Sequence, residues 1–133
     1  MSQYDRTLYK VSLAPGAVTD GTDNGTAVDR AVNGGMQDAT LIVTTGAVTD
    51  GSHAVTVQDS ADGTTGWTAV SASLLQGSLP TVVEANDSTV FEVGIGPTRR
   101  YLRAVIVTTG ATTGGVIGCH FALSAPRYSP VTR

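Results

Sequence analysis

Short stretches of alternating apolar and polar residues, punctuated by Gly, Asn, Asp and Pro, dominate this sequence. Alternation with a period of two places successive side chains on opposite faces of a strand. Val55 and Val57 alternate with Thr56 and Gln58, and Phe91, Val93 and Ile95 with Glu92 and Gly94. Leu102, Ala104 and Ile106 share one face of a strand over 101–107, with Tyr101, Arg103 and Val105 on the other. Ile117, Cys119, Phe121 and Leu123 form the apolar face of a final strand over 116–123. Leu41-Ile42-Val43 is a short apolar run, two of its three residues β-branched, within a strand over 36–45. At the N-terminus, 7–13 reads as a strand with Tyr9, Val11 and Leu13 inward, stopped by Pro15-Gly16. Further short strands are expected over 26–32, 67–71 and 80–84, and a single helical turn over 74–76.

The turns carry an internal echo. The hexapeptide GAVTDG from Gly16 to Gly21 recurs from Gly46 to Gly51, and VTTGA from Val43 to Ala47 recurs from Val107 to Ala111. Strand, Thr/Gly loop, strand is the unit these words imply. Loops are expected over 16–25 and 59–66, turns at Asn33-Gly34, Asn86-Asp87 and Gly96-Pro97, and a hairpin loop over 110–115. The result is an all-β chain of about eight strands, an antiparallel, jelly-roll-like β-sandwich. One domain covers 1–133, with a polar arm over 1–6 and an extended tail over 125–133, where Pro126 and Pro130 oppose regular structure.

Composition narrows the classes of function. Charged residues make up 14% of the 133, against ~25% in a typical domain. Such a surface can lie against protein neighbours without desolvating many ions. A net charge of −3 argues against general nucleic-acid binding. No apolar run approaches the ~18 residues of a membrane span, and the first ten residues lack the apolar centre of a signal peptide, so synthesis in a cytoplasm is expected. The single cysteine, Cys119, excludes an internal disulfide framework.

Candidate chemistry is sparse. Cys119 and His120 are adjacent on a strand and point to opposite faces, and His53 lies far away in sequence, so no nucleophile–base pair is implied. Cys119 reads as a buried, inert thiol. The Asp20, Asp23, Asn24 and Asp59, Asp62 clusters match no calcium-loop pattern and read as turn formers. Glu84 and Glu92 are the only glutamates and define no acid–base pair. No phosphate-binding glycine motif occurs. No catalytic residue, metal or cofactor is assigned. Arg99, Arg100 and Arg103 form the one basic cluster, a candidate protein-contact patch that pairs with carboxylates. Trp67 reads as core or interface filler.

From Asp59 onward the order of small motifs becomes familiar. Asp59-Ser-x-Asp-Gly-x-x-x-Trp67 is followed by Leu74-Leu75-x-Gly77 and by Asn86-Asp87-x-x-Val90-x-x-Val93-Gly94. Arg100-Tyr101-Leu102-Arg103, Thr109-Gly110-x-Thr112-x-Gly114-Gly115 and Ala125-Pro126-Arg127-x-x-Pro130-Val131 close the series. The series, over roughly 27–131, resembles the small decoration, or cement, proteins of tailed-bacteriophage heads. The resemblance implies a jelly-roll-like sandwich on the outer capsid surface of the virion, made in the host cytoplasm and without enzymatic activity. It implies the major capsid protein and other copies of the chain as partners, with no nucleic acid and no membrane. A homodimer is expected in preference to a homotrimer, because Thr-rich strands with few charges make poorly defended edges. The second reading is a β-sandwich adhesion or carbohydrate-binding module of a phage tail. Both termini are expected to reach a neighbouring chain, so Arg127 and Arg133 of the tail join the basic cluster Arg99, Arg100 and Arg103 as the capsid-contact candidates.

Overall fold

The computed structural model describes residues 2–133. It is an antiparallel β-sandwich wound as a jelly roll. A four-residue helix, α1 (Gln3–Arg6), leads into β1 (Leu8–Val18), β2 (Gly21–Asn24), β3 (Val28–Asp29), β4 (Met36–Val48) and β5 (Ser52–Ser60). Short β6 (Thr68–Ala69), β7 (Leu75–Gln76) and β8 (Thr81–Val82) follow, with 3-10 turns at Ala72–Leu74 and Glu84–Asn86 between and after them. The chain ends with β9 (Val90–Ile95), β10 (Tyr101–Thr109) and β11 (Gly115–Pro126). One sheet has the order β1-β11-β4-β9-β7 and the other β2-β10-β5-β6, with β3 also on β10 and β8 also on β5.

This order follows from one long ribbon rolled up. The first half of the chain pairs with the second from the outside inward: β1 with β11, β2 and β3 with β10, β4 with β9, and β5 with β6 and β8. Rolling the ribbon then adds the seams β11–β4 and β10–β5, and the alternating inward residues of both sheets make a single core. Leu41, Leu102, Ile106, Phe121 and Leu123 are completely buried, with Val43, Val55, Val57 and Ile117 beside them. Those are the apolar faces that the alternation predicts for β5, β10 and β11; in β4 the apolar run splits, with Leu41 and Val43 inside and Ile42 on the outer face.

Three sheet-crossing arches stack at one end. β1 passes to β2 through the first GAVTDG segment, β4 to β5 through the second, and β10 to β11 through 110–114. The last is therefore not the expected hairpin loop: its two strands lie in different sheets, and its arch sits between the other two. The repeated Asp explains the repeat. Asp50 accepts from the backbone N–H groups of Thr112 (3.1 Å), Thr113 (3.1 Å) and Gly114 (2.6 Å), and Asp20 accepts from Ala111 N–H (2.7 Å). The loop of the central arch thus has its amides satisfied by carboxylates from both neighbours. At Gly114 the packing leaves no room for a side chain. A Cβ on Gly114, which has φ +81°, would lie 1.9 Å from Val18 O. Fully buried His53 braces the second arch, with Nε2 3.0 Å from Asp50 O and Nδ1 2.9 Å from Thr108 Oγ1. A carbonyl only accepts, so Nε2 carries the proton toward it and the Thr108 hydroxyl faces the other ring nitrogen.

The N-terminal third departs most from the sequence reading. β1 does not stop at Pro15 but runs to Val18, as an edge strand can, because a missing N–H costs no ladder bond there. Its faces are also reversed before the register shift: Leu8 and Ser12 are buried, while Tyr9 and Val11 are 54% and 57% exposed, and only Leu13, beyond the shift, packs against the core as expected. Ser12 decides the matter. Its hydroxyl donates to Thr26 O (2.9 Å) and accepts from Ala104 N–H (3.0 Å), and the register shifts beside it to bring it between the sheets. Gly25 crosses so closely there that a Cβ would meet Ser12 Oγ at 2.2 Å and Ala104 O at 2.6 Å. The expected loop over 16–25 is thus an arch followed by β2. Of the strand expected over 26–32, only Val28–Asp29 is paired.

Gly114→Ala should destabilise the fold by more than about 2 kcal/mol, because both the positive φ and the backbone contact oppose a side chain. Urea unfolding of the variant measures it. Asp50 is held below the ordinary carboxylate value of 3.8 by the Gly114 amide first and by those of Thr113 and Thr112 after it. A depressed pKa contributes stability above 3.8 that disappears as pH falls through the folded value. Asp50→Asn should therefore unfold at lower temperature at neutral pH, and lose less further stability than the wild type on acidification. Thermal melts across an acid series check both. Burial pushes the Cys119 thiol up to about 12, so it should resist alkylation in the folded protein and react at once in denaturant.

Candidate functional site

The end of the sandwich opposite the arches is where the chain's basic residues gather. The segment between β3 and β4, the β9–β10 connection and the chain after β11 surround an open cleft of about 710 Å³. Arg30, Arg99, Arg100 and Arg127 line it, half of the chain's eight lysines and arginines. Backbone geometry builds the walls: Asn33 (φ 59°) and Gly34 (φ 121°) reverse the chain at the expected turn, and Gly34 and Gly35 then accept from the N–H groups of Tyr128 and Arg127, both at 3.0 Å.

The four arginines are in different states. Arg99 is spent on the neighbouring loop. Its Nε and Nη2 donate to Asp59 Oδ1 at 3.0 and 2.8 Å, and Nη2 also reaches Gly66 O at 2.9 Å. Arg100 forms a two-pronged pair with Asp29, at 2.8 and 2.7 Å, which holds that carboxyl below its usual range. Arg30 is only 7% exposed. It donates to Thr98 Oγ1 and to Gln37 O, both uncharged, and its Nε is buried without a partner among the described residues. Burial lowers its pKa, with the Asp38 charge opposing from a distance. The Arg127 guanidinium is exposed and makes no hydrogen bond among the described residues.

The other two candidate arginines lie elsewhere. Arg103 donates to Gln58 Oε1 at 2.9 and 2.7 Å, and its guanidinium lies over the Trp67 ring at 4.4 Å. Trp67 is only partly buried, and this stacking covers one side of its ring. Arg133 closes a clasp between the termini. It donates to Tyr4 O and to Thr7 O (2.6 Å) and sits 3.8 Å over the Tyr4 ring. The sequence places the arm and the tail outside the sandwich, each free to reach a neighbour. Instead, residues 3–6 form a helix with a Ser2–Asp5 capping box, and β11 extends through Pro126. Val131 is buried in the core, and its N–H donates to Asp5 O at 2.9 Å. The reason is mutual satisfaction: each terminus supplies the polar partners the other lacks. Met1 lies outside the described residues.

A second surface stands out for its lack of charge. Register across the outer face of the first sheet gives the rows Tyr9–Ala122–Thr40–Gly94 and Val11–His120–Ile42–Glu92. A further row ends at Val90, which is 57% exposed. Glu92 is the one charged residue in these rows, and the Tyr9 and His120 rings meet edge to face at 6.4 Å. The reversal of β1 creates this face, which is why the sequence reading missed it. The acidic loop residues are engaged within the chain: Asp59 pairs with Arg99, and Asp62 accepts from Thr64 and Thr65. Among the described residues no cluster of His, Cys, Asp and Glu is arranged to hold a metal ion. No protein-family model, curated protein or solved structure matches this chain.

Val131→Ala removes two methyl groups from a buried site and should cost about 1–2 kcal/mol. Thermal melting reads the loss directly. Limited proteolysis should also cut the variant first near the termini, because the clasp and the core share that residue.

Proposed function

We propose that this chain is a structural virion protein of the decoration type, binding the outer surface of a tailed-phage head and clamping neighbouring major capsid subunits. The observation that carries this reading is the neutral outer face of the β1-β11-β4-β9 sheet. A solvated sheet face ordinarily alternates apolar-in with polar-out, and contiguous exposed apolar surface rimmed by polar residues marks interaction sites. Here Tyr9, Val11, Ile42 and Val90 occupy the outward positions. The motif order from Asp59 to Val131 and the jelly-roll winding agree with it. Mass action supplies the mechanism: a protein that binds only the assembled shell stabilises it at every occupied site. Self-association belongs at β1, the one edge strand longer than four residues.

Heads saturated with the protein should release DNA at a higher temperature than heads lacking it. Val11→Glu and Val90→Lys, both at positions more than half exposed, should leave the melting temperature of the free protein nearly unchanged and weaken head binding by roughly tenfold or more. Equal DNA-release temperatures with and without the protein, or full head binding by both variants, would sink the reading.

A further inference from the structure

Arg30 poses an energetic problem that the chain itself does not solve. Burying a cation is tolerated when a carboxylate compensates it, yet the two ion pairs of the described residues belong to Arg99 and Arg100. Arg30 has only a hydroxyl and a carbonyl as acceptors, and one of its N–H groups has none. Across the same cleft wall stands Arg127, whose guanidinium is free, and the two-pronged Arg100. A cleft lined by arginines, with a desolvated cation in its wall that no carboxylate pairs and that Asp38 offsets only from a distance, is built for an anion from outside.

We infer that the cleft between the β3–β4 segment, the β9–β10 connection and the residues after β11 binds an acidic side chain of a partner protein, with Arg127 as its direct ligand and Arg30 as the buried countercharge behind it. An aspartate or glutamate fits better than a nucleic-acid phosphate. The whole chain is acidic at −3, and Asp38, Asp29 and Asp59 surround the cleft and would repel an extended polyanion. One carboxylate needs only the local field, and the planar guanidinium of Arg127 matches it bidentately. The inference deepens the docking reading by naming what the partner inserts, and rests on it only for the identity of the chain that supplies the carboxylate.

The test uses the full-length protein and a short capped peptide of alternating Glu and Ser, followed by calorimetric titration and thermal shift. The Glu peptide should bind saturably, raise the melting temperature and weaken with added salt, while the matching Gln peptide does neither. Arg127 is exposed, and its contacts to the fold are its backbone N–H to Gly35 O and its methylene stem beside Gly35, so Arg127→Glu should stay folded, with a cooperative melt. That variant should lose roughly tenfold or more in peptide affinity, the worth of a charge-assisted hydrogen bond. Equal binding of Glu and Gln peptides, or unchanged affinity in Arg127→Glu, overturns the inference. Tighter binding of inorganic phosphate or of a single-stranded oligonucleotide than of the Glu peptide overturns it too. If the wild type binds the Glu peptide but not heads, the cleft stands and the decoration reading falls.

Discussion

The seating of the central β10–β11 arch between its two neighbours is the constraint on which the fold depends. β10 and β11 are interior strands of both sheets, so any displacement of their arch breaks register on four seams at once. Two carboxylates hold it: Asp20 from one side and Asp50 from the other, both accepting from backbone amides. Gly114 allows the close approach and Ser12 fixes how far β1 slides past β11. Each is a small residue at a polar contact, and together they set the geometry into which the apolar core packs.

The parts of the fold legible in the sequence were those where one physical effect acted alone. β5, β9, β10 and β11 alternate cleanly because each has one face in the core, and the structure turns the residues that the period assigns toward it, all buried except Phe91, which is partly so. β1 failed because two effects compete there. Its apolar pattern places Tyr9, Val11 and Leu13 inside, whereas the buried hydrogen bonds of Ser12 turn Tyr9 and Val11 outward, and only Leu13, past the register shift, still meets the core. The echo of GAVTDG was visible, but its meaning was not: a loop that turns within a sheet and one that crosses between sheets use the same glycine and aspartate vocabulary. Only the pairing of distant strands distinguishes them.

The site was legible in a similar, partial way. Arg99 and Arg100 were conspicuous as neighbours in sequence, yet both are already paired with Asp59 and Asp29. Arg30, the most buried cation, drew no attention because it sits in a segment with no clear period. Its partner in the cleft, Arg127, arrives from the far end of the chain. No sequence signal links residues 30 and 127; the rolled ribbon brings them together. The same winding joins the termini, so that segments that look like loose ends in one dimension become a closed clasp in three.

The two ends of the sandwich also differ in sign. Asp20, Asp23, Asp50, Glu84 and Asp87 belong to the arches and the turn beside them, where no lysine or arginine lies, whereas at the other end Arg6, Arg30, Arg99, Arg100, Arg127 and Arg133 just outnumber Asp5, Asp29, Asp38, Asp59 and Asp62. A nine-residue strand such as β10 separates them by about 30 Å, several times the ~8 Å over which salt screens exposed charges. The molecule is therefore an electric dipole lying along its strands. Near a negatively charged surface, such a body experiences a torque as well as a weak net force, and turns its arginine end inward before any contact forms. Net charge alone describes an acidic protein that acidic surfaces repel; the winding of the chain makes it one that they orient.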